Sequence, residues 1–308
     1  MYRYVKDYSY LKPRRSHSLR RDIFLLSLGI VLGAYGVVIT RTRLAPALIS
    51  PLPMQSVNNI AVVPTQTSTP TPSLFPTPTL TPTIGVVQKE LAKKEYVVAL
   101  LGDSMIDTAG PSYSALSLNL ASYFPQTRFT ILNYGLGARD LEYGLSRLTN
   151  DYNYLGKDIP ALLSQNPDVI IVESFAYNHW SSSKSDLDKQ WITLGMIVST
   201  IRERSGAKLA FLATIAPNSS VYAKGIKDIS WTDEQRRQQA EEVRMYLNNF
   251  VNFATSQNIP LINAYGQSLG QDGEGKLEYI NSGDNLHPSE KGHELVADLI
   301  SLWLKDNL

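Results

Sequence analysis

From about Glu95 onward, short apolar runs alternate with longer amphipathic stretches. The runs YVVALLG (96–102), FTILNYG (129–135), DVIIVES (168–174), KLAFLATIA (208–216) and IPLINAY (259–265) are rich in β-branched residues. They lack the apolar/polar alternation of a half-exposed strand, so they predict strands buried on both faces. Segments near 112–124, 139–165, 186–205, 232–257 and 289–304 carry apolar positions at helical spacing. Strands that alternate with helices predict an α/β domain over 95–308, with a five-stranded parallel sheet covered on both sides. No internal repeat and no second folded domain is expected.

The N-terminal part follows another pattern. Residues 23–40, IFLLSLGIVLGAYGVVIT, are roughly 18 residues without a charge, close to the ~20 that cross a bilayer as a helix. Arg3, Lys6, Lys12, Arg14, Arg15, Arg20 and Arg21 precede this run, and only Arg41 and Arg43 follow it closely. The asymmetry predicts a basic cytoplasmic tail (1–22), a transmembrane signal anchor (23–40) and an extracytoplasmic remainder. A cleavable signal peptide is the alternative, since Ala45-Pro46-Ala47 has the small-x-small form of a cleavage site, and it would give a secreted domain. The linker (41–94) contains a Pro/Thr-rich tract at 64–83 with neither helical nor strand period. Proline fixes φ and removes a donor, so this tract is expected to be an extended spacer.

Charge divides along the same line. Nine of the 29 Lys and Arg lie before residue 44, which leaves 20 basic against 26 acidic residues in the rest. That balance speaks against nucleic acid as a partner, because phosphate contacts need clustered Lys and Arg. The chain has no cysteine, which excludes disulfides, thiolate nucleophiles and Cys-ligated zinc. It has no HExxH helix and no GxxxxGK[ST] loop, so neither a metal nor a cofactor is expected.

In an open parallel sheet, ligands bind beyond the carboxyl ends of the strands. Gly102-Asp103-Ser104-Met105 ends the first predicted strand, and Asn133-Tyr134-Gly135-Leu136-Gly137-Ala138 ends the second. The third leads into Glu173 through Trp180, and Asp284-Asn285-Leu286-His287-Pro288 follows the fifth. A serine nucleophile needs a base oriented by a third group. Of four histidines, His17 lies ahead of the predicted anchor, His293 falls inside the last helix and His179 has no acid at close spacing. His287 has Asp284 three residues earlier, while Ser289 is placed to cap the helix that follows. Ser104, His287 and Asp284 are therefore the candidate triad. An oxyanion hole would draw on the Ser104 N–H, a backbone N–H of the glycine-bearing turn at Gly137 or Ala138, and the Asn178 amide. Asp103 is read as a residue that fixes its own loop. Tyr177, His179 and Trp180, with Tyr134, flank the predicted site and are candidate substrate contacts.

Taken in this order, the Gly-Asp-Ser block, the Asn-x-Gly turn, Asn178 and the Asp-x-x-His-Pro block resemble the four sequence blocks of SGNH (GDSL-like) hydrolases, over about residues 96–308. The resemblance implies a flavodoxin-like three-layer α/β/α sandwich and cofactor-free hydrolysis of esters, often acetyl esters of carbohydrates. Three departures stand out. Met105 replaces the usual Leu, Ala138 occupies a usual Gly position, and Ala176-Tyr177-Asn178-His179 replaces Gly-x-Asn-Asp. The expectation is a membrane-anchored serine esterase that acts on an acylated envelope or extracellular carbohydrate. The same triad would serve an O-acyltransferase, and the altered blocks would suit a carbohydrate-binding module without activity. Acyl length and oligomeric state are not legible.

Overall fold

A computed structural model describes residues 90–308. The expected tail (1–22), membrane span (23–40) and Pro/Thr-rich tract (64–83) lie outside the described residues. Among the described residues, no helix is long and apolar enough to cross a membrane.

The five predicted runs form five parallel strands: β1 (Glu95–Gly102), β2 (Arg128–Gly135), β5 (Val169–Glu173), β6 (Lys208–Ala213) and β7 (Leu261–Asn263). Their spatial order is β2-β1-β5-β6-β7. The chain thus moves one way from β1 to β2 and the other way from β5 onward, the 2-1-3-4-5 order of flavodoxin-like sheets. Every residue of β5 is buried, in keeping with its unbroken apolar sequence.

The sheet carries helices on both sides. α2 (Ser114–Tyr123) packs with α7 (Glu290–Asn307), while α4 (Lys184–Arg204) packs with α3 (Leu141–Ser146) and α5 (Asp233–Ser256). Phe211 of β6 stacks on Phe250 of α5 at 4.7 Å between ring centroids and lies 6.0 Å from Phe253, one turn further along. Each such buried ring is worth roughly 1.5–3 kcal/mol. α5 opens on a reciprocal capping box between Thr232 and Gln235. Ser289 caps α7 by accepting the Gly292 N–H, as its position predicts. Two short helices are absent from the periodicity, α1 (Ser104–Asp107) and α6 (Ala264–Ser268).

The helix expected over 139–165 is not formed. Asp140 caps α3, which lasts six residues, and the chain then turns into an antiparallel hairpin of β3 (Tyr152–Tyr154) and β4 (Lys157–Ile159). Leu155 and Gly156 both have positive φ, at 50° and 77°, the backbone that a two-residue turn requires to follow strand twist. Gly156 and the β-favouring Tyr152 and Tyr154 outweigh the helical spacing of the leucines nearby. A single 3-10 turn, Leu162–Gln165, completes the segment.

Candidate active site

Ser104 is the first residue of α1, directly after β1. Asp103 caps that turn by accepting the Met105 N–H at 2.8 Å, the loop-fixing role its position suggested. The turn rests on glycines. A Cβ at Gly135 would stand 2.2 Å from the Asp107 nitrogen, so only glycine lets α1 lie against the end of β2. Asn133 completes the attachment: its amide donates to Ile106 O at 2.9 Å and Gly110 O at 2.7 Å, while its Oδ1 accepts Gly135 N–H at 2.8 Å. The Asn-x-Gly turn thus holds the serine turn in place, a role the motif alone does not disclose.

On the far side of the sequence, His287 Nδ1 meets Asp284 Oδ2 at 3.0 Å. Asp284 Oδ1 also accepts the backbone N–H of Leu286 at 3.0 Å and of His287 at 3.1 Å. Burial raises the Asp284 pKa, but its hydrogen bond to His287 and the His287 charge outweigh burial, and the net shift is downward. An ionised Asp284 favours the tautomer with its proton on Nδ1, which leaves Nε2 as the candidate base. Ser104, His287 and Asp284 are all buried. Ser104 Oγ has no hydrogen-bond partner among the described residues.

The candidate oxyanion donors are not equally available. Gly137 N–H donates to Asp107 Oδ2 at 3.3 Å. Ala138 has φ 57°, the left-handed backbone for which glycine is usual, so alanine keeps the shape of the turn. Asn178 Nδ2 donates one hydrogen to Asp103 Oδ2 at 2.8 Å, leaving its second amide hydrogen.

Glu173 and Asp103, both read from the sequence as lying at strand ends, join Arg147 in a buried polar cluster that the sequence did not disclose. Glu173, at the end of β5, accepts from Ser174 Oγ at 2.5 Å, from Phe175 N–H at 3.0 Å and from Asp103 N–H at 3.4 Å. Burial, then the Asp103 charge, push the Glu173 pKa well above the carboxylate range. Burial also raises Asp103. Arg147 is buried too, and its guanidinium donates to Tyr134 O at 2.6 Å and Gly102 O at 2.9 Å, the carbonyls at the ends of β2 and β1. Asp103, Glu173 and Arg147 come from three separate segments of the chain, so no local motif announces the cluster.

A cleft of about 1390 Å³ opens beside His287. Tyr152, Tyr154 and Leu155 of the hairpin form part of its wall, with Asp107, Leu277 and His293 among the remaining lining residues. Burial and then the His287 charge lower the His293 pKa to about 4. Tyr177, His179 and Trp180 do not line this cleft. Tyr177 is a core residue, its ring stacked on Tyr222 at 6.1 Å and its hydroxyl donating to Ile215 O. His179 is held between Ala176 O and Glu242, and Trp180 donates to Asp140 with Lys189 Nζ 3.9 Å from its ring centroid. Among the described residues, no group of three or more His, Asp or Glu is arranged to hold a metal.

The profile of the GDSL-like Lipase/Acylhydrolase family matches residues 100–295, which runs from β1 past the Asp284–His287 pair. No curated protein matches the chain. Among solved structures, a gut microbial diltiazem-metabolizing enzyme is 16% identical with a TM-score of 0.52, over 72% of this chain and 49% of that one. A lipase/acylhydrolase from Enterococcus faecalis is 18% identical with a TM-score of 0.49, over 69% of this chain and 97% of that one. An acetylxylan esterase from Geobacillus stearothermophilus is 13% identical with a TM-score of 0.43, over 69% and 94%. The first of these likenesses speaks for the fold alone. The family match, together with the parallel sheet that carries its blocks, makes this chain a member of the GDSL-like Lipase/Acylhydrolase family and an ester-bond hydrolase.

Proposed function

We propose that the protein is a serine esterase that removes short acyl groups, acetyl foremost, from carbohydrate esters outside the cytoplasmic membrane, tethered by residues 23–40. The reading rests above all on one observation: the buried Asp284–His287 pair opens onto the large cleft, and Ser104, buried at the end of β1, has a hydroxyl that no other group engages among the described residues.

The chemistry follows from these positions. His287 Nε2 takes the Ser104 proton as Oγ attacks the ester carbonyl, and Asp284 steadies the imidazolium that forms. The Ser104–His287 bond forms on substrate binding, as contacts of this kind commonly tighten in the Michaelis complex. The oxyanion is met by the Ser104 N–H, by the Ala138 N–H and by the second Asn178 amide hydrogen, since Gly137 N–H is engaged by Asp107. His287 then gives its proton to the leaving alcohol. Water, deprotonated by His287, attacks the acyl-serine, and the acid and the serine hydroxyl are released.

Two features support the choice of substrate. His287, which hands its proton to the leaving alcohol, lines the cleft, so the cleft offers a bulky alcohol half its place. The compact half is then assigned to the acyl group. The wall mixes Tyr152 and Tyr154 with Asp107, Asn281 and Ser282, a surface of flat rings and hydroxyl-binding groups suited to sugars. The charge asymmetry around residues 23–40 supports export of the domain.

The test is a panel of p-nitrophenyl esters of rising chain length beside acetylated and deacetylated polysaccharide. Highest kcat/KM on acetate, with acetate released from the polysaccharide, is expected. A preference for long acyl chains would refute the substrate assignment.

A further inference from the structure

Asp107 has no part in the acyl transfer described above, yet it stands beside it. It lies on α1 one helical turn after Ser104, and side chains three apart on a helix share a face, with Cβ atoms about 5–6 Å apart. It lines the cleft together with His287. Its Oδ2 accepts the Tyr154 hydroxyl at 2.7 Å and the Gly137 N–H at 3.3 Å. Both bonds fall on one oxygen, and among the described residues no hydrogen bond reaches Oδ1.

The carboxyl is therefore held through one oxygen by donors from two separate segments, the hairpin and the turn after β2, in a residue that lines the cleft. Burial raises its pKa, and the Tyr154 and Gly137 bonds only partly oppose that rise. A further donor arriving at Oδ1 would favour the charged form. A carboxylate fixed in this way accepts hydrogen bonds and repels anions, so the group that fits is a neutral hydroxyl. The reacting ester carbon must sit over Ser104. The alcohol half then extends past His287, and the atoms that come over Asp107 are those next to the ester oxygen.

We propose that Asp107 is a substrate-binding residue that accepts a hydrogen bond from a free hydroxyl adjacent to the acylated one, so that the enzyme selects monoacylated vicinal diols. A partly acylated sugar has this arrangement, and so has a monoacylglycerol. The sugar assignment rests on the function proposed above; the diol assignment rests on Asp107. A fully acylated sugar lacks the donor and would enter the cleft with Oδ1 unsatisfied.

The experiment compares methyl 2-O-acetyl-xylopyranoside with its 3-O-methyl ether, in the wild type and in Asp107→Asn. A hydrogen bond to a charged group is worth about 1.5–3 kcal/mol, a factor of about 10 to 150. Wild type is expected to favour the free hydroxyl at least tenfold in kcat/KM, and Asp107→Asn to treat the pair alike, because an amide turned to the cleft donates to hydroxyl and ether equally. Equal rates in the wild type on both this pair and the monoacetylglycerol pair below, or an unchanged preference in Asp107→Asn, would overturn the proposal. Tyr154→Phe keeps the carboxylate but lets it rotate; a smaller preference is expected, and an undiminished one counts against the proposal even where Asp107→Asn does not fold. Should the wild type hydrolyse neither ester, NMR titration of Ser104→Ala and Ser104→Ala/Asp107→Asn with the same pair reads the preference as affinity, so failure of the hydrolase reading stays separate. Monoacetylglycerol against its O-methyl ether forms the second arm. An Asp107-dependent preference there, without one for the xyloside, keeps the diol and overturns the sugar.

Discussion

Asn178 Nδ2 donates to Asp103 Oδ2 at 2.8 Å, which fastens the loop after β5 to the turn that carries Ser104. The proposed oxyanion donor and the backbone of the proposed nucleophile are thereby positioned as one unit. Asn178→Ala is expected to lower kcat about 10²–10³-fold with little change in KM, the sign of a contact made in the transition state. Steady-state kinetics on p-nitrophenyl acetate checks this. A rise in KM with kcat intact would reduce Asn178 to a loop residue.

The Glu173–Asp103 pair sets a dependence on pH. Burial and the Asp103 charge raise Glu173 in the folded state, whereas an unfolded Glu titrates near ~4.3. The folded state thus binds the proton more tightly. This contribution to stability is complete below the unfolded value and is lost as pH rises through the folded one. Glu173→Gln keeps an acceptor for Phe175 N–H and should decline less steeply than the wild type as pH rises above about 4, with the raised Asp103 supplying what decline is left. Urea midpoints across that range provide the measurement, and parallel curves would show that Glu173 carries no such proton. Glu173→Ala leaves two buried N–H groups without their acceptor and is expected to cost about 1–3 kcal/mol for each.

Backbone shape around the serine can be probed from opposite directions. Ala138 at φ 57° carries the left-handed penalty of about 1–2 kcal/mol, offset in Ala138→Gly by the ~0.5–1 kcal/mol of extra chain entropy that glycine loses. Ala138→Gly should therefore raise stability by about 0.5–1 kcal/mol and leave the turn intact. Gly135→Ala should fail, because its Cβ would meet the Asp107 backbone. Thermal melts distinguish the two; a tolerated Gly135→Ala would mean that α1 does not rest on β2 as described.

Asp284 predicts the opposite pH sign to Glu173. Its net downward shift, in which bonds and charge from His287 outweigh burial, means stability present above the unfolded Asp value and lost as pH falls through the folded one. Asp284→Asn should flatten that acid limb and lower kcat on the order of 10⁴-fold by removing control of the tautomer. A variant that keeps both its kcat and its acid limb would refute the orienting role.

What was legible in the sequence was what is local in the chain. The five strands show as unbroken apolar runs, and Ser289 shows as a cap that leaves Asp284 for His287 across three residues. The hairpin at 152–159 was not legible, since Leu162 and Leu163 extend a helical period across Tyr152, Tyr154 and Gly156, and a Leu-Gly turn is a weak signal. Arg147, Glu173 and the Asp107–Tyr154 bond stayed hidden because each joins elements distant in sequence. Tyr177 was misplaced for a related reason: a residue beside Asn178 can point inward, and only the fold shows Tyr222 waiting for its ring.

The central claim is that Ser104 forms a covalent acyl-enzyme with His287 as its base. Intact-mass analysis of the protein after treatment with a fluorophosphonate tests it most directly. One phosphonyl adduct on the wild type, mapped by peptide sequencing to Ser104, is predicted, with no adduct on Ser104→Ala and labelling slowed at least 10³-fold in His287→Ala. An unlabelled wild type, or equal labelling of Ser104→Ala, would contradict it.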